Sequence, residues 1–273
     1  MGGCLSSSSK KERSKQPIRP IGDSKSKKAQ KKSRKKASKI PAMAHSDLTA
    51  LYKEITGFQT QFNDQSQVWL VLNKAKDFEV MQAMSKKMPD VKELDVQGIS
   101  EEKNEQVQSF LELYFPNTVG SFEFHYGSPL TSITPFMEGM EVASKKVTTK
   151  MRIYNFEIGE QELFDLFIWN KSKDWIGLRE CTLSLSEIPN FKSSLKGSTL
   201  RILDLSECGS SSHGDWSKNP QEFENLVEGL AISEDFKANL QELWMTNCGF
   251  SETQIYQVLK KHGLQHVNIY GAR

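Results

Sequence analysis

Leu200-Arg201-Ile202-Leu203-Asp204-Leu205-Ser206-Glu207-Cys208-Gly209 and Leu240-Gln241-Glu242-Leu243-Trp244-Met245-Thr246-Asn247-Cys248-Gly249 are two versions of one unit. Each carries apolar side chains at its first, fourth and sixth positions, then a cysteine and a glycine. Apolar residues two apart are the mark of a strand that buries one face. Outward from these copies, the apolar part recurs as Val91-x-x-Leu94-x-Val96, Val119-x-x-Phe122-x-Phe124, Leu178-x-x-Cys181-x-Leu183 and Leu264-x-x-Val267-x-Ile269. Thr148-x-x-Met151-x-Ile153 is a degraded copy. The central positions 94, 122, 151, 181, 203, 243 and 267 are separated by 28, 29, 30, 22, 40 and 24 residues. Helical patterning fills most intervals, over 77–88, 101–115, 160–169, 220–230 and 252–262. Val68–Leu72 reads as a further buried strand, and a helix capped by Ser46 or Asp47 runs through Phe62.

Strand and helix alternating at this period predict a solenoid of repeated βα units. The two best copies fit L-x-x-L-x-L-x-x-[NC] and resemble the leucine-rich repeat of the ribonuclease-inhibitor type. That resemblance spans residues 65–270. It implies an α/β solenoid with parallel strands and outer helices, which composition expects to be preceded by a disordered basic arm. It also implies that Cys208 and Cys248 turn inward as structural ladder residues bonded to the backbone. Copies before residue 178 lack the Asn or Cys and the repeat length varies, so an irregular open α/β domain with a mostly parallel sheet is the alternative.

Charge divides the chain in two. Between Lys10 and Lys39 stand 14 Lys or Arg against only Glu12 and Asp23, so this stretch carries +12 and the remainder −10, for a net charge of +2. The arm, residues 1–45, has too little apolar surface to offset the entropy of ordering it. The body, residues 46–273, holds nearly all of the aromatic and aliphatic content. Four cysteines without paired spacing argue against a disulfide framework or a zinc site. There is no apolar run long enough to cross a bilayer and no secretory signal, so an intracellular, reducing compartment is expected.

The chain opens Met1-Gly2-Gly3-Cys4-Leu5-Ser6, which fits the myristoylation pattern at Gly2, with Cys4 close enough for a second, thioester-linked chain. This opening resembles the doubly acylated N-termini of Src-family kinases and of some protist flagellar membrane proteins. One myristoyl chain binds a bilayer with K on the order of 10⁴ M⁻¹, too weak to hold alone. Lys10, Lys11, Arg13, Lys27, Lys28, Lys31, Lys32, Arg34, Lys35 and Lys36 supply an electrostatic third signal, each adding about 1 kcal/mol at an anionic leaflet. The expected location is the cytoplasmic face of a membrane, plasma or ciliary. Ser14, Ser24, Ser26, Ser33 and Ser38 lie among the lysines, where phosphate would weaken attachment. Lys31–Lys36 also fits a nuclear signal or a nucleic-acid arm, although no aromatic residue is there to stack on bases.

In such a solenoid the residues between the apolar positions line a concave face. They run from Glu93, Asp95 and Gln97 through Ser121, Glu123 and His125 to Lys150, Arg152 and Tyr154. Glu180, Thr182 and Ser184 would follow, then Ile202, Asp204 and Ser206, then Glu242, Trp244 and Thr246, and last His266, Asn268 and Tyr270. Lys150, Arg152, Tyr154, Trp244 and Tyr270 are the candidate partner-binding residues, joined by Trp216 from the long insertion after Cys208. Ser, His and Asp in that insertion do not make a triad, because one flexible loop cannot bring them together. No nucleotide-binding, kinase, metalloprotease or hydrolase motif is present, and the histidines at 45, 125, 213, 262 and 266 show no metal-ligand spacing. The chain therefore reads as a non-enzymatic, membrane-tethered scaffold or adaptor, with no metal or cofactor and with an unidentified protein partner. A soluble nuclear or nucleic-acid-associated protein is the second reading.

Overall fold

The computed structural model describes residues 90–127, 130–185, 187–191, 194–209 and 214–272 in full, and the backbone path of 67–71 and 210. The chain divides into Met1–Lys39 and Ile40–Arg273, and every described residue belongs to the second unit. The arm and the helices expected over 46–62 and 77–88 lie outside the described residues.

The fold is α/β, built on an open sheet of eight parallel strands. These are β1 (Gln67–Val71), β2 (Asp90–Ile99), β3 (Thr118–Tyr126), β5 (Val147–Tyr154), β7 (Trp175–Arg179), β9 (Ile202–Asp204), β12 (Glu242–Trp244) and β13 (Asn268–Tyr270). They stand in chain order across the sheet, each pairing with the next. A second sheet takes the short strands between them. Parallel β4 (Thr131–Ser132), β6 (Phe156–Ile158), β8 (Thr182–Leu183) and β10 (Gly209–Ser210) are finished by antiparallel β11 (Gly214–Asp215). The connecting helices are α1 (Asn104–Ser109, continued by a π turn over Phe110–Tyr114), α2 (Met137–Lys146) and α3 (Glu160–Asn170). Then come α4 (Pro220–Ala231), α5 (Glu234–Asn239) and α6 (Glu252–Lys261).

Strand register corrects two of the expected copies. Leu94 lies opposite Phe122, which lies opposite Met151, which lies opposite Ile176 and not Cys181. Ile176 is opposite Leu203, Leu203 is opposite Leu243, and Leu243 is opposite Ile269 and not Val267. The equivalent positions are thus separated by 28, 29, 25, 27, 40 and 26 residues. Apart from the long interval, the period is more even than the apolar spacing implied. That interval holds the β10–β11 hairpin and two helices, α4 and α5, whereas the interval between β7 and β9 holds no helix among the described residues and the remaining intervals hold one each.

Five units turn a similar corner. Gly98, Asn155, Glu180, Glu207 and Asn247 all have positive φ, and each immediately precedes a buried residue: Ile99, Phe156, Cys181, Cys208 and Cys248. A left-handed residue reverses the chain so that the next side chain points into the core. Three of those buried residues form a thiol ladder. Cys181 Sγ lies 3.7 Å from Ile153 O, Cys208 Sγ donates to Leu178 O, and Cys248 Sγ lies 3.0 Å from Leu205 O. Each thiol thus bonds a backbone carbonyl of the preceding unit. Burial raises the Cys248 thiol to about 11 and pushes Cys208 up as well. Asn155 does similar work with its side chain, donating to Tyr126 O and Gly127 O at 3.1 and 2.9 Å.

The core changes character along the chain. Phe110, Phe115, Phe122, Phe124, Phe136 and Phe156 fill its first half, with ring centroids 4.9–5.9 Å apart between touching neighbours. Leucines from β9, β12, α4 and α6 fill the second half. One charged side chain enters this layer. Lys173 is 3% exposed and sits where the best copies carry Leu200 and Leu240. Its ammonium donates to Ser144 O at 2.8 Å, one of the last carbonyls of α2, which have no partner within the helix.

Candidate functional site

One face of the large sheet is apolar and buried. The other carries charged and aromatic side chains in two rows set by the strand register. Asp95, Glu123, Arg152, Gly177, Asp204, Trp244 and Tyr270 are consecutive cross-strand neighbours. The second row is Glu93, Ser121, Lys150, Trp175, Ile202, Glu242 and Asn268. His125, Tyr154 and Arg179 continue beside them, again in register.

Glu123 is the hub of the acidic end. Its Oε1 accepts from Lys150 Nζ at 2.6 Å and from Arg152 at 3.4 Å, and its Oε2 accepts from the Tyr154 hydroxyl at 3.0 Å. Burial alone would raise this carboxyl, but the His125 ring, Lys150 and Arg152 outweigh it and hold Glu123 well below the usual carboxylate range. The Tyr154 hydroxyl responds in the opposite sense, pushed up to about 12 by burial and by the Glu123 charge. The Tyr154 ring stacks on His125 with centroids 3.7 Å apart and planes 12° from parallel. Asp95 lies across from Glu123, with one oxygen accepting from Gln97 at 2.7 Å, and burial raises its pKa.

The middle of the face is a stack of cations on rings. Arg152 lies over Trp175, with its guanidinium carbon 4.2 Å from the ring centroid, and Lys150 Nζ lies 4.9 Å from the same ring. Gly177 makes this possible: a β-carbon there would stand 2.8 Å from Arg152 Cγ. Arg152 also reaches within 3.8 Å of Asp204, as does Arg179. Asp204 is 1% exposed and accepts the Ser206 backbone N–H at 3.1 Å, so two guanidinium groups flank a buried carboxylate. From Trp175 an aromatic row continues to Trp244, at 5.4 Å between centroids, and then to Tyr270, at 5.6 Å. Trp244 Nε1 donates to Glu242 at 2.9 Å, and Tyr270 is 44% exposed.

The structure therefore brings five of the six candidate partner-binding residues onto one face: Lys150, Arg152, Tyr154, Trp244 and Tyr270. Trp216 is a correction. It is completely buried against Phe223, at 5.5 Å between centroids, and closes the core beneath the insertion. Glu180, Thr182 and Ser184 are a second correction, because Trp175, Gly177 and Arg179 take that place on the face. His213 of the insertion lies outside the described residues. Gly2, Cys4 and the basic residues from Lys10 to Lys36 lie outside them too. No helix of the described residues is long and apolar enough to cross a membrane. The chain matches no protein-family model and no curated protein.

Proposed function

We propose that this chain is a membrane-tethered, non-enzymatic interaction module. Acyl chains on Gly2 and Cys4, with the polybasic arm, hold it to an anionic cytoplasmic leaflet. The body works as a leucine-rich-repeat-like solenoid whose polar face receives a protein partner. The observation that carries the binding half is the continuous row Arg152–Trp175–Trp244–Tyr270 on an otherwise charged face. Aromatic and arginine side chains with a polar end are the residue types that anchor protein interfaces. The even period, the chain-order parallel sheet and the thiol ladder support the solenoid reading.

Each half has its own test. Wild type expressed in eukaryotic cells with intact acyltransferases is expected in the membrane fraction, and Gly2→Ala in the soluble fraction. Equal partitioning of both would remove the tether and favour the nuclear reading, for which Lys31–Lys36 is the supporting run. For the face, proximity labelling with wild type is compared with Trp244→Ala and Tyr270→Ala. An unchanged set of labelled proteins would remove these aromatics as anchors.

A further inference from the structure

Among the described residues, one group brings three metal-ligating side chains together: Asp95, Glu123 and His125, with one donor atom from each lying within 4.8 Å of the other two. We propose that these three side chains form a binding site for a divalent transition-metal ion such as Zn²⁺. This site shares Lys150, Arg152 and Tyr154 with the partner-binding face but depends on neither the tether nor a partner, and survives the failure of either reading.

The two distances from the imidazole suit an ion. His125 Nε2 is 3.3 Å from Asp95 Oδ1 and 3.7 Å from Glu123 Oε2. A metal about 2.1 Å from each atom would subtend angles of roughly 105° and 125° across those pairs, close to the tetrahedral arrangement zinc takes. The donors sit on rigid neighbours. Asp95 and Glu123 are a cross-strand pair, and His125 is two residues beyond Glu123 on the same face of β3.

The other carboxylate oxygens are already engaged in ways that aim the donors, and Glu123 Oε2 itself also accepts from the Tyr154 hydroxyl. Gln97 holds Asp95 Oδ2, while Lys150 and Arg152 hold Glu123 Oε1. Stacking on Tyr154 fixes the imidazole plane. Outer partners of this kind orient ligands and are half of a metal site. Asp95 Oδ1 and His125 Nε2 are left over. Both atoms are buried and lack a well-aligned hydrogen bond, although they stand 3.3 Å apart as an ion pair. Buried polar atoms are rarely left so, because each costs about 1–3 kcal/mol. Either a proton on His125 Nε2 or a metal ion can satisfy these facing atoms, and a metal can engage all three groups at once. An imidazole nitrogen with two carboxylate oxygens is a borderline set that suits zinc and its neighbours better than calcium or magnesium. Three protein ligands leave a fourth position open to water or to a partner's donor. Lys150 and Arg152 reduce the attraction for a cation, which favours an ion that bonds strongly to nitrogen over one held by charge alone.

The test is Zn²⁺ titration of the full chain under reducing conditions, in a Cys4→Ser background that removes the thiol of the arm. Saturable binding of one ion at micromolar Zn²⁺ is expected, weakened at least tenfold by His125→Ala and by Asp95→Asn. Absence of saturable binding, or variants that bind as tightly as the parent, would overturn the site. A second measurement needs no substitution within the site. Paramagnetic Co²⁺ should broaden the backbone amide signals of 94–96 and 122–126 first. Broadening that begins elsewhere, or none, overturns the proposal even if the variants misfold.

Discussion

Single residues decide more here than their neighbours in sequence suggest. Lys173 takes a core position that leucine holds elsewhere, and burial lowers its ammonium to about 8. Below that pH the residue is charged both folded and unfolded, so its burial penalty is fully present. Between 8 and the ordinary lysine value the unfolded chain binds the extra proton, so this contribution makes stability rise with pH. The shift corresponds to a penalty on the order of 3 kcal/mol, offset in part by the bond to Ser144 O. Lys173→Met keeps the stem and drops the charge. It should gain about 1–2 kcal/mol in urea unfolding at neutral pH, after the loss of that bond. The gain should vanish as pH rises past about 10, close to where free lysine titrates. A gap that stays constant with pH would mean the ammonium is not the cause. Glu180 is a different case. It holds a left-handed conformation, φ 54°, that favours glycine. Glu180→Gly should raise stability by about 0.5–1 kcal/mol, and a loss would show that its side chain contributes something the backbone strain does not reveal.

At the scale of elements, the strands were legible wherever apolar residues alternated with polar ones, as at Val91–Val96, Phe122–Phe124, Leu203–Leu205 and Leu243–Met245. The pattern failed at β7 for a physical reason. Ile176, Leu178, Cys181 and Leu183 are all buried, because the ladder residue and the second sheet bury side chains just past the strand. Apolar spacing alone cannot tell the strand from its continuation, so it points to Cys181, five residues past Ile176, and passes over Trp175. Helix α2 was missed as well, since its buried positions include Gly139, Ala143 and Ser144, which carry little hydrophobic signal. The Asp95–Glu123–His125 cluster is illegible for another reason: Asp95 and Glu123 are 28 residues apart and joined only by strand pairing, so no short ligand spacing along the chain marks them. Two predictions belong to these elements. Cys181, Cys208 and Cys248 should resist thiol reagents in the native protein and label only on unfolding, since all three are buried and bonded to carbonyls. Gly209→Ala should cost about 1–3 kcal/mol, because its β-carbon would stand 2.2 Å from Gly214 O across the β10–β11 hairpin. Native labelling of the ladder thiols, or an unchanged Gly209→Ala unfolding curve, would contradict these placements.

For the whole molecule, the opposed charges of arm and body give the proposed tether a measurable signature. An arm of +12 draws the chain to an anionic leaflet while a remainder of −10 is repelled by it. Electrostatic attraction at a surface fades beyond a Debye length, which shrinks from about 10 Å at 0.1 M salt to 3 Å at 1 M. The hydrophobic contribution of an acyl chain is not screened and amounts to roughly 0.8 kcal/mol per buried methylene. The variants should therefore separate by salt on vesicles that contain phosphatidylserine. Doubly acylated protein should stay bound at 1 M salt, where little beyond the two chains remains. Cys4→Ser, left with one myristoyl chain and the arm, should bind at low salt and elute as screening grows. Gly2→Ala made without any lipid should bind weakly at low salt alone, and only when the vesicles are anionic. If the myristoylated Cys4→Ser protein resists 1 M salt as firmly as wild type, a second chain is unnecessary and something other than the arm's charge holds it. If unlipidated Gly2→Ala binds neutral vesicles as well as anionic ones, the basic run has no electrostatic part in the attachment, and its lysines belong to the nuclear reading.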